Sequence, residues 1–290
     1  MEAMRNPMRT MVVVLVASTA VGCAIAGAGE DPEGVGLTPP LDGPEVFAPG
    51  VISLLGSSYR ESQLSMWPDG RRVIFSRYGP GIPDGTVFES RLVEGIWSRP
   101  EPTALFEDSI ALEPGLAPDG NRLFYSMPAP GHGLHDIFVM EWSDGSWTEP
   151  RRLFRGLYAS AALDGTIYYT GYIGWRDHIV YRRFVDGEYT AERAVGAPVY
   201  SRHEDAHPCV APDGSYLIFD SSTRPHDGAC LLFVSFRNDD GSWTEPVNMG
   251  AALGGLPAGL PRVSPDGRIL FFNAHGEIYW IDTSVLGQLR

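Results

Sequence analysis

The turn motif Pro-Asp-Gly recurs along the chain, each time directly before an apolar run. Pro68-Asp69-Gly70 precedes RRVIFSR, and Pro118-Asp119-Gly120 precedes NRLFYSM. Pro212-Asp213-Gly214 precedes SYLIFDS, and Pro265-Asp266-Gly267 precedes RILFFNA. A degenerate copy, Leu163-Asp164-Gly165, precedes TIYYTG. Successive aspartates stand 50, 45, 49 and 53 residues apart. Proline presets φ, aspartate bonds nearby backbone and glycine accepts positive φ, so these aspartates read as turn residues rather than catalytic groups. A second apolar run follows each motif: TVFESRLV, DIFVMEW, HIVYRRF, CLLFVSFR and EIYWID. Four of these run through a turn into a third element, as in SDGSWTEPRRL. Apolar runs joined by Asp-Gly signal hairpins. With the short strand before each motif (LSMW, GLA, ASAA, CVA, RVS), every repeat holds four strands. Four-stranded units of this length, repeated radially, are propeller blades.

The fifth repeat lacks its outer strand, while a spare segment, Glu45 to Ser53, precedes the first. The expectation is an all-β, five-bladed propeller over 44–290, its ring closed by that N-terminal strand. Closure removes sheet edges that would otherwise invite pairing with other chains. The pieces FAPGVIS, PDGRRVIFSR, EPGLAPDGNRLFYSM, EDAHPCVAPDGSYLIFDS, LLFVSFRNDDGSWTEPVNMG and VSPDGRILFFNAHGEIYWID resemble the TolB-like, WD-related propeller repeats of bacterial envelope proteins. The resemblance covers about Val46 to Ile281. It implies a propeller with a protein-interaction or scaffolding role in the envelope, and no particular activity. Blade three departs from the pattern, having lost its proline.

The N-terminus reads as an address. Arg5 and Arg9 precede the apolar run Met11 to Val21. As a helix this run rises only about 16 Å, too short for a hydrocarbon core of about 30 Å. Residues 1–22 therefore read as a secretory signal. Ala20-Val21-Gly22-Cys23 resembles a bacterial lipobox in which Cys23 takes the lipid, with alanine in place of the usual leucine. Cleavage after Ala26, leaving a soluble periplasmic or secreted protein, is the rival reading. Ala24 after the cysteine points, in the lipoprotein pattern, to the outer membrane. Residues 23–43 are rich in Gly and Pro, lack aromatics and read as a flexible tether.

The chain carries 36 acidic and 22 basic side chains, net −14, and every basic one is arginine. That excludes lysine chemistry: Schiff bases, P-loops and Ser-Lys dyads. The acidic balance argues against nucleic acid, whose non-specific binding depends on neutralising phosphates. It equally leaves membrane attachment to a lipid rather than to charge.

In a propeller, the inter-blade connections and the loops joining second to third strands share one face, here called the entry face. All seven histidines fall there, with many charged residues. The candidates for ligand binding are Arg60, Glu113, Trp175, Arg202, His203, Glu204, His207 and Asp227. His203 and His207 stand four apart, as in helical zinc motifs, but they precede a strand, so they are weak metal candidates. No cofactor is expected. The leading expectation is a non-enzymatic module that binds an envelope protein or glycan. The alternative is a periplasmic, glycosidase-like hydrolase using Glu61, Glu113 and Glu204, since glycosidases need paired carboxylates. Trp97, Trp147 and Trp243 recur at one repeat position and read as blade packing. Cys209 and Cys230 fall two strands apart in one blade, roughly 9–10 Å, beyond the roughly 7 Å reach of a disulfide. Two free, buried thiols are expected.

Overall fold

The structure is a computed structural model that describes residues 37–106, 110–131, 133–173, 176–226 and 228–290. The signal segment, Cys23, Trp175 and Asp227 lie outside the described residues. Five four-stranded antiparallel sheets form a five-bladed β-propeller. The innermost strands, in order of blade, are Arg60–Met66, Leu112–Leu116, Leu157–Ala161, Asp205–Val210 and Gly259–Val263. The second strands, after the turn motifs, are Arg72–Tyr78, Arg122–Pro128, Ile167–Ile173, Tyr216–Ser221 and Ile269–Ala274. The third strands are Val87–Val93, His135–Ser143, Arg176–Arg182, Leu232–Phe236 and Glu277–Asp282.

Blade five takes its outer strand from the N-terminus: Glu45 pairs with Trp280 and Val46 with Tyr279. Phe47 then donates its N–H to Ile278 O at 2.8 Å. The chain already packs on the domain from Leu37, which is buried, and Asp282 donates its N–H to Pro40 O at 2.9 Å. Residues 37–43, expected as the end of the tether, thus lie against blade five, because Leu37 finds apolar cover there.

Each second strand has an unbroken apolar run at its centre (VIF, LFY, IYY, LIF and ILFF) because both faces are covered there. Phe75 packs with Phe271 of blade five, while its neighbour Ile74 packs with Leu123 and Tyr125 of blade two. Phe124 faces Ile167 and Tyr169 of blade three, and Tyr168 faces Leu217 and Phe219 of blade four. Ile218 faces Leu270 and Phe272 of blade five. The core is thus five inter-blade layers around an axis. Cys209 and Cys230 are free and buried, as the strand count required.

The degenerate motif of blade three has a structural consequence. Leu163 stands where the other copies have proline, and its N–H donates to Pro212 O of blade four at 2.8 Å. A proline there would have no N–H to give.

Candidate functional site

Every innermost strand carries a bulge, and the bulged residue always stands six places before the aspartate of its turn motif. These residues are Gln63, Glu113, Tyr158, His207 and Leu260, with φ of 52°, 57°, 55°, 49° and 53°. Positive φ is costly outside glycine and persists only where the surroundings enforce it. At four of the five, a side chain of the preceding blade's second strand does so. Asn273 Oδ1 accepts the N–H of Gln63 at 3.2 Å, and Ser126 Oγ that of Tyr158 at 3.3 Å. Thr170 Oγ1 accepts that of His207 at 2.9 Å, and Asp220 Oδ2 that of Leu260 at 3.1 Å. The repeat therefore stitches one blade to the next at these four junctions, and the bulged side chains of Glu113, Tyr158 and His207 come together.

Residues from four blades meet on the axis. Arg262 of blade five donates to Ala159 O of blade three at 2.8 Å and to Glu113 O of blade two at 3.4 Å. Its guanidinium lies 3.9 Å from the ring centre of Tyr158, whose hydroxyl donates to Pro261 O at 2.6 Å. Arg262 is buried and plugs the channel. Gly115 makes room for it: a Cβ there would stand 2.7 Å from Ala159 O and 2.9 Å from Arg262 Nη2. Gly115→Ala is therefore expected to cost about 1–3 kcal/mol through overpacking. Urea unfolding checks this, and an unchanged midpoint would contradict the packing of the plug.

Above the plug sits His207, edge-on to Tyr158 at 4.9 Å. Its Nδ1 is 2.9 Å from both oxygens of Asp220, and its Nε2 is 3.6 Å from Glu113 Oε1. Burial alone would drive the imidazolium proton off. The charge and hydrogen bonds of Asp220, then those of Glu113, outweigh burial and push the pKa up to about 10. His207 is thus a cation held between two carboxylates from different blades. Glu113 Oε2 finds no hydrogen-bond partner among the described residues. Asp177, in the same mouth, has its pKa raised by burial, with His207 opposing. Burial likewise raises the pKa of Tyr172, whose hydroxyl is 3.4 Å from His135 Nδ1.

The other expected site residues scatter. Glu61 does not join the axial carboxylates, which corrects the expectation for it. Its carboxylate is fully buried beside Arg77 at 2.8 Å and takes the Leu54 N–H at 3.3 Å. Arg77 also donates to Ile52 O at 2.8 Å, so this pair clamps the closing segment. Glu277 lies beside it; burial, then the neighbouring Glu61, raise its pKa to about 7. Asp205 repeats the device in blade four: Arg224 bonds both its oxygens, at 2.9 and 2.7 Å, and Val199 O at 2.7 Å. Both carboxylates stand two residues before a bulge, where the side chain anchors an inter-blade connection.

Glu204 is on the exposed rim, 3.9 Å from Arg176, so it too lies apart from the His207 cluster as a carboxylate partner of Arg176. Its own N–H is taken by Thr223 Oγ1 at 2.8 Å. His203 donates its N–H to Ser201 Oγ at 3.2 Å, and Arg202 O accepts from Arg176 at 3.2 Å. Arg60 lies over the Gly276 turn. His203 and His207 are not a ligand pair. One is in the loop, the other in a strand with both ring nitrogens facing carboxylates, and no three-residue metal-ligand group occurs among the described residues. Tyr158, Asp220 and Arg262 were not singled out from the sequence. The offset of six from the motif aspartate would have found Tyr158, as it finds Glu113 and His207.

No protein-family model matches this chain, and no curated protein matches it. Solved structures do. A putative TolB from Agrobacterium tumefaciens is 19% identical, covering 73% of this chain and 69% of its own, with a TM-score of 0.52. A gluconolactonase from Xanthomonas campestris is 15% identical over 84% of this chain and 96% of its own, with a TM-score of 0.47. A GH43 endo-arabinanase from Bacillus licheniformis is 13% identical over 79% of this chain and 94% of its own, with a TM-score of 0.47. At these identities the likeness is one of fold.

Proposed function

We propose that this chain is an exported, TolB-like binding module of the bacterial envelope, anchored through Cys23 and taking a protein or glycan partner on its entry face. The observation that carries the reading is that both axial carboxylates are engaged with His207. Asp220 and Glu113 both face His207, at 2.9 and 3.6 Å, and Asp220 also accepts the Leu260 N–H. A glycosidase needs one carboxylic acid to give a proton and one free carboxylate to attack or to activate water. Here both carboxylates point at the same imidazolium, Asp220 with both oxygens, so they form an ion-pair cluster rather than an acid and a base set apart across a substrate. What the mouth offers instead is a fixed polar surface, rimmed by the exposed side chains of Arg176, Arg202 and Glu204. The N-terminal reading supports the location, and the lipid would leave the propeller free at the end of a short tether.

The test pairs binding with turnover. Envelope proteins and glycans retained by the immobilised full chain are expected to fall at least fivefold with Arg202→Ala/Glu204→Ala, at unchanged melting temperature. Equal retention would remove the rim from the contact. Chromogenic glycosides should stay intact; turnover that disappears in Glu113→Gln would replace this reading with the hydrolase. Labelled palmitate should enter the wild type and not Cys23→Ala.

A further inference from the structure

A second polar concavity lies on the face opposite the entry face. It is a cavity of about 700 Å³ between blades three and four, bounded by the Asp164 turn and the Gly241-Ser242 turn. Its floor is aromatic. Tyr168 and Tyr181 stack at 5.7 Å with 25° between their planes, and Trp243 meets Tyr168 edge-on at 6.2 Å. Its walls carry Arg183, Arg193 and Arg237.

These three arginines are exposed, and none forms an ion pair among the described residues. The contrast with their neighbour is direct: Arg182 bonds Tyr169 at 2.8 Å and lies 3.7 Å from Glu192. Leaving three guanidinium groups uncompensated around one cavity is unexpected in a chain of net charge −14. Asp164 is the one carboxylate in the lining, and its Oδ1 is occupied by the Thr166 N–H at 2.8 Å. Asp240, in the neighbouring turn, accepts the N–H and hydroxyl of Ser242 on its Oδ1. Arg237 lies 5.7 Å from the Trp243 ring. Burial raises the Tyr168 phenol; Arg237 opposes the rise, Asp164 adds to it, and Arg183 opposes it more weakly.

We propose that this groove binds an acidic saccharide, a sugar ring carrying a carboxylate or a phosphate. Guanidinium is the side chain best matched to either oxyanion, through paired N–H donors. Aromatic faces suit the apolar faces of a sugar ring, and a cavity of this size is in the usual range for small ligands. The site is independent of the entry face, and its failure would leave the binding reading above untouched.

The full chain is titrated with a galacturonic acid trisaccharide, glucose 6-phosphate, neutral maltotriose and inorganic phosphate, followed by calorimetry and tryptophan fluorescence. At least one acidic sugar is expected to bind, with affinity that falls as salt rises, and maltotriose at least tenfold more weakly. Which acidic sugar binds separates the carboxylate from the phosphate. Arg183→Gln/Arg193→Gln/Arg237→Gln should lose at least tenfold at unchanged melting temperature. Arg202→Ala/Glu204→Ala, on the entry face, should bind as the wild type does. The proposal is overturned if neither acidic sugar binds, if the triple variant binds like the wild type, or if the entry-face variant loses the binding. Inorganic phosphate binding as tightly as the best sugar would overturn it too, leaving a simple anion site.

Discussion

Phe47→Ala is expected to lower the unfolding free energy by about 3–5 kcal/mol, as for other fully buried aromatics. Phe47 is 1% exposed and meets three rings edge-on: Trp97 at 5.5 Å, Phe271 at 5.1 Å and Trp280 at 5.3 Å. Two of those rings belong to blade five and one to blade one, so the side chain joins the two ends of the propeller. Its position adds to its size. The hydroxyl of Ser53 donates to Ile278 O at 3.3 Å and accepts the Ile278 N–H at 3.2 Å, a contact across 225 residues. Domains are commonly stable by only about 5–15 kcal/mol, so this loss is a large share. Urea unfolding with tryptophan fluorescence measures it. Deleting residues 37–53 should go further, baring the edge of Glu277–Asp282 and promoting self-association. A Phe47→Ala unfolding free energy within about 0.5 kcal/mol of wild type would mean that the ring closes without this side chain.

Why could the closure be read from the sequence at all? The turn motif serves the backbone, and backbone demands repeat: Pro68, Asp69 and Gly70 answer the same local geometry as Pro265, Asp266 and Gly267. In both turns the aspartate Oδ1 accepts an N–H two residues on, at 2.9 Å for Arg71 and 3.1 Å for Arg268. Strand count then follows, and the deficit in the last repeat calls for the surplus before the first. Blade three shows the limit of the argument. Losing its proline left the blade intact and gave Leu163 an N–H for Pro212.

The site was legible only in part, because a bulge shifts the alternation of faces by one residue. Simple alternation puts Glu61 and Glu113 in similar places near the start of an inner strand. In the structure Glu113 is the bulged residue and turns to the axis, whereas Glu61 precedes the bulged Gln63 and turns to Arg77. The same offset separates His207, which faces the axis, from Asp205, which clamps the blade junction. Arg262 carried no sequence signal. Its role depends on Gly115 and Tyr158 in other blades, and contacts between distant repeats are not written in the repeat itself.

His207→Gln is expected to destabilise the domain by about 3 kcal/mol at neutral pH, since it leaves Glu113 and Asp220 facing the mouth without a cation. The pH profile carries the sharper expectation. In the folded chain His207 keeps its proton to about pH 10, against an ordinary value of 6.5. Its stabilisation is therefore complete below the unfolded value and is lost as the pH climbs toward the folded one. Glu277, raised from 4.5 to about 7, gives a separate descending limb at lower pH for the same reason: the folded state holds the extra proton. Cys209 and Cys230 are raised by burial above 9.0 and enter only at higher pH. Between about pH 7 and 8.5 the slope therefore belongs to His207. A full proton difference is worth about 1.4 kcal/mol per pH unit, so the wild type should lose about 1–2 kcal/mol across that window. His207→Gln should be flat there while retaining the lower limb, and Glu277→Gln should show the reverse. Urea midpoints taken through the window decide it. An equal slope in wild type and His207→Gln would mean that the imidazole is neutral when folded, freeing the axial carboxylates from it and restoring the acid–base pair that the binding reading denies.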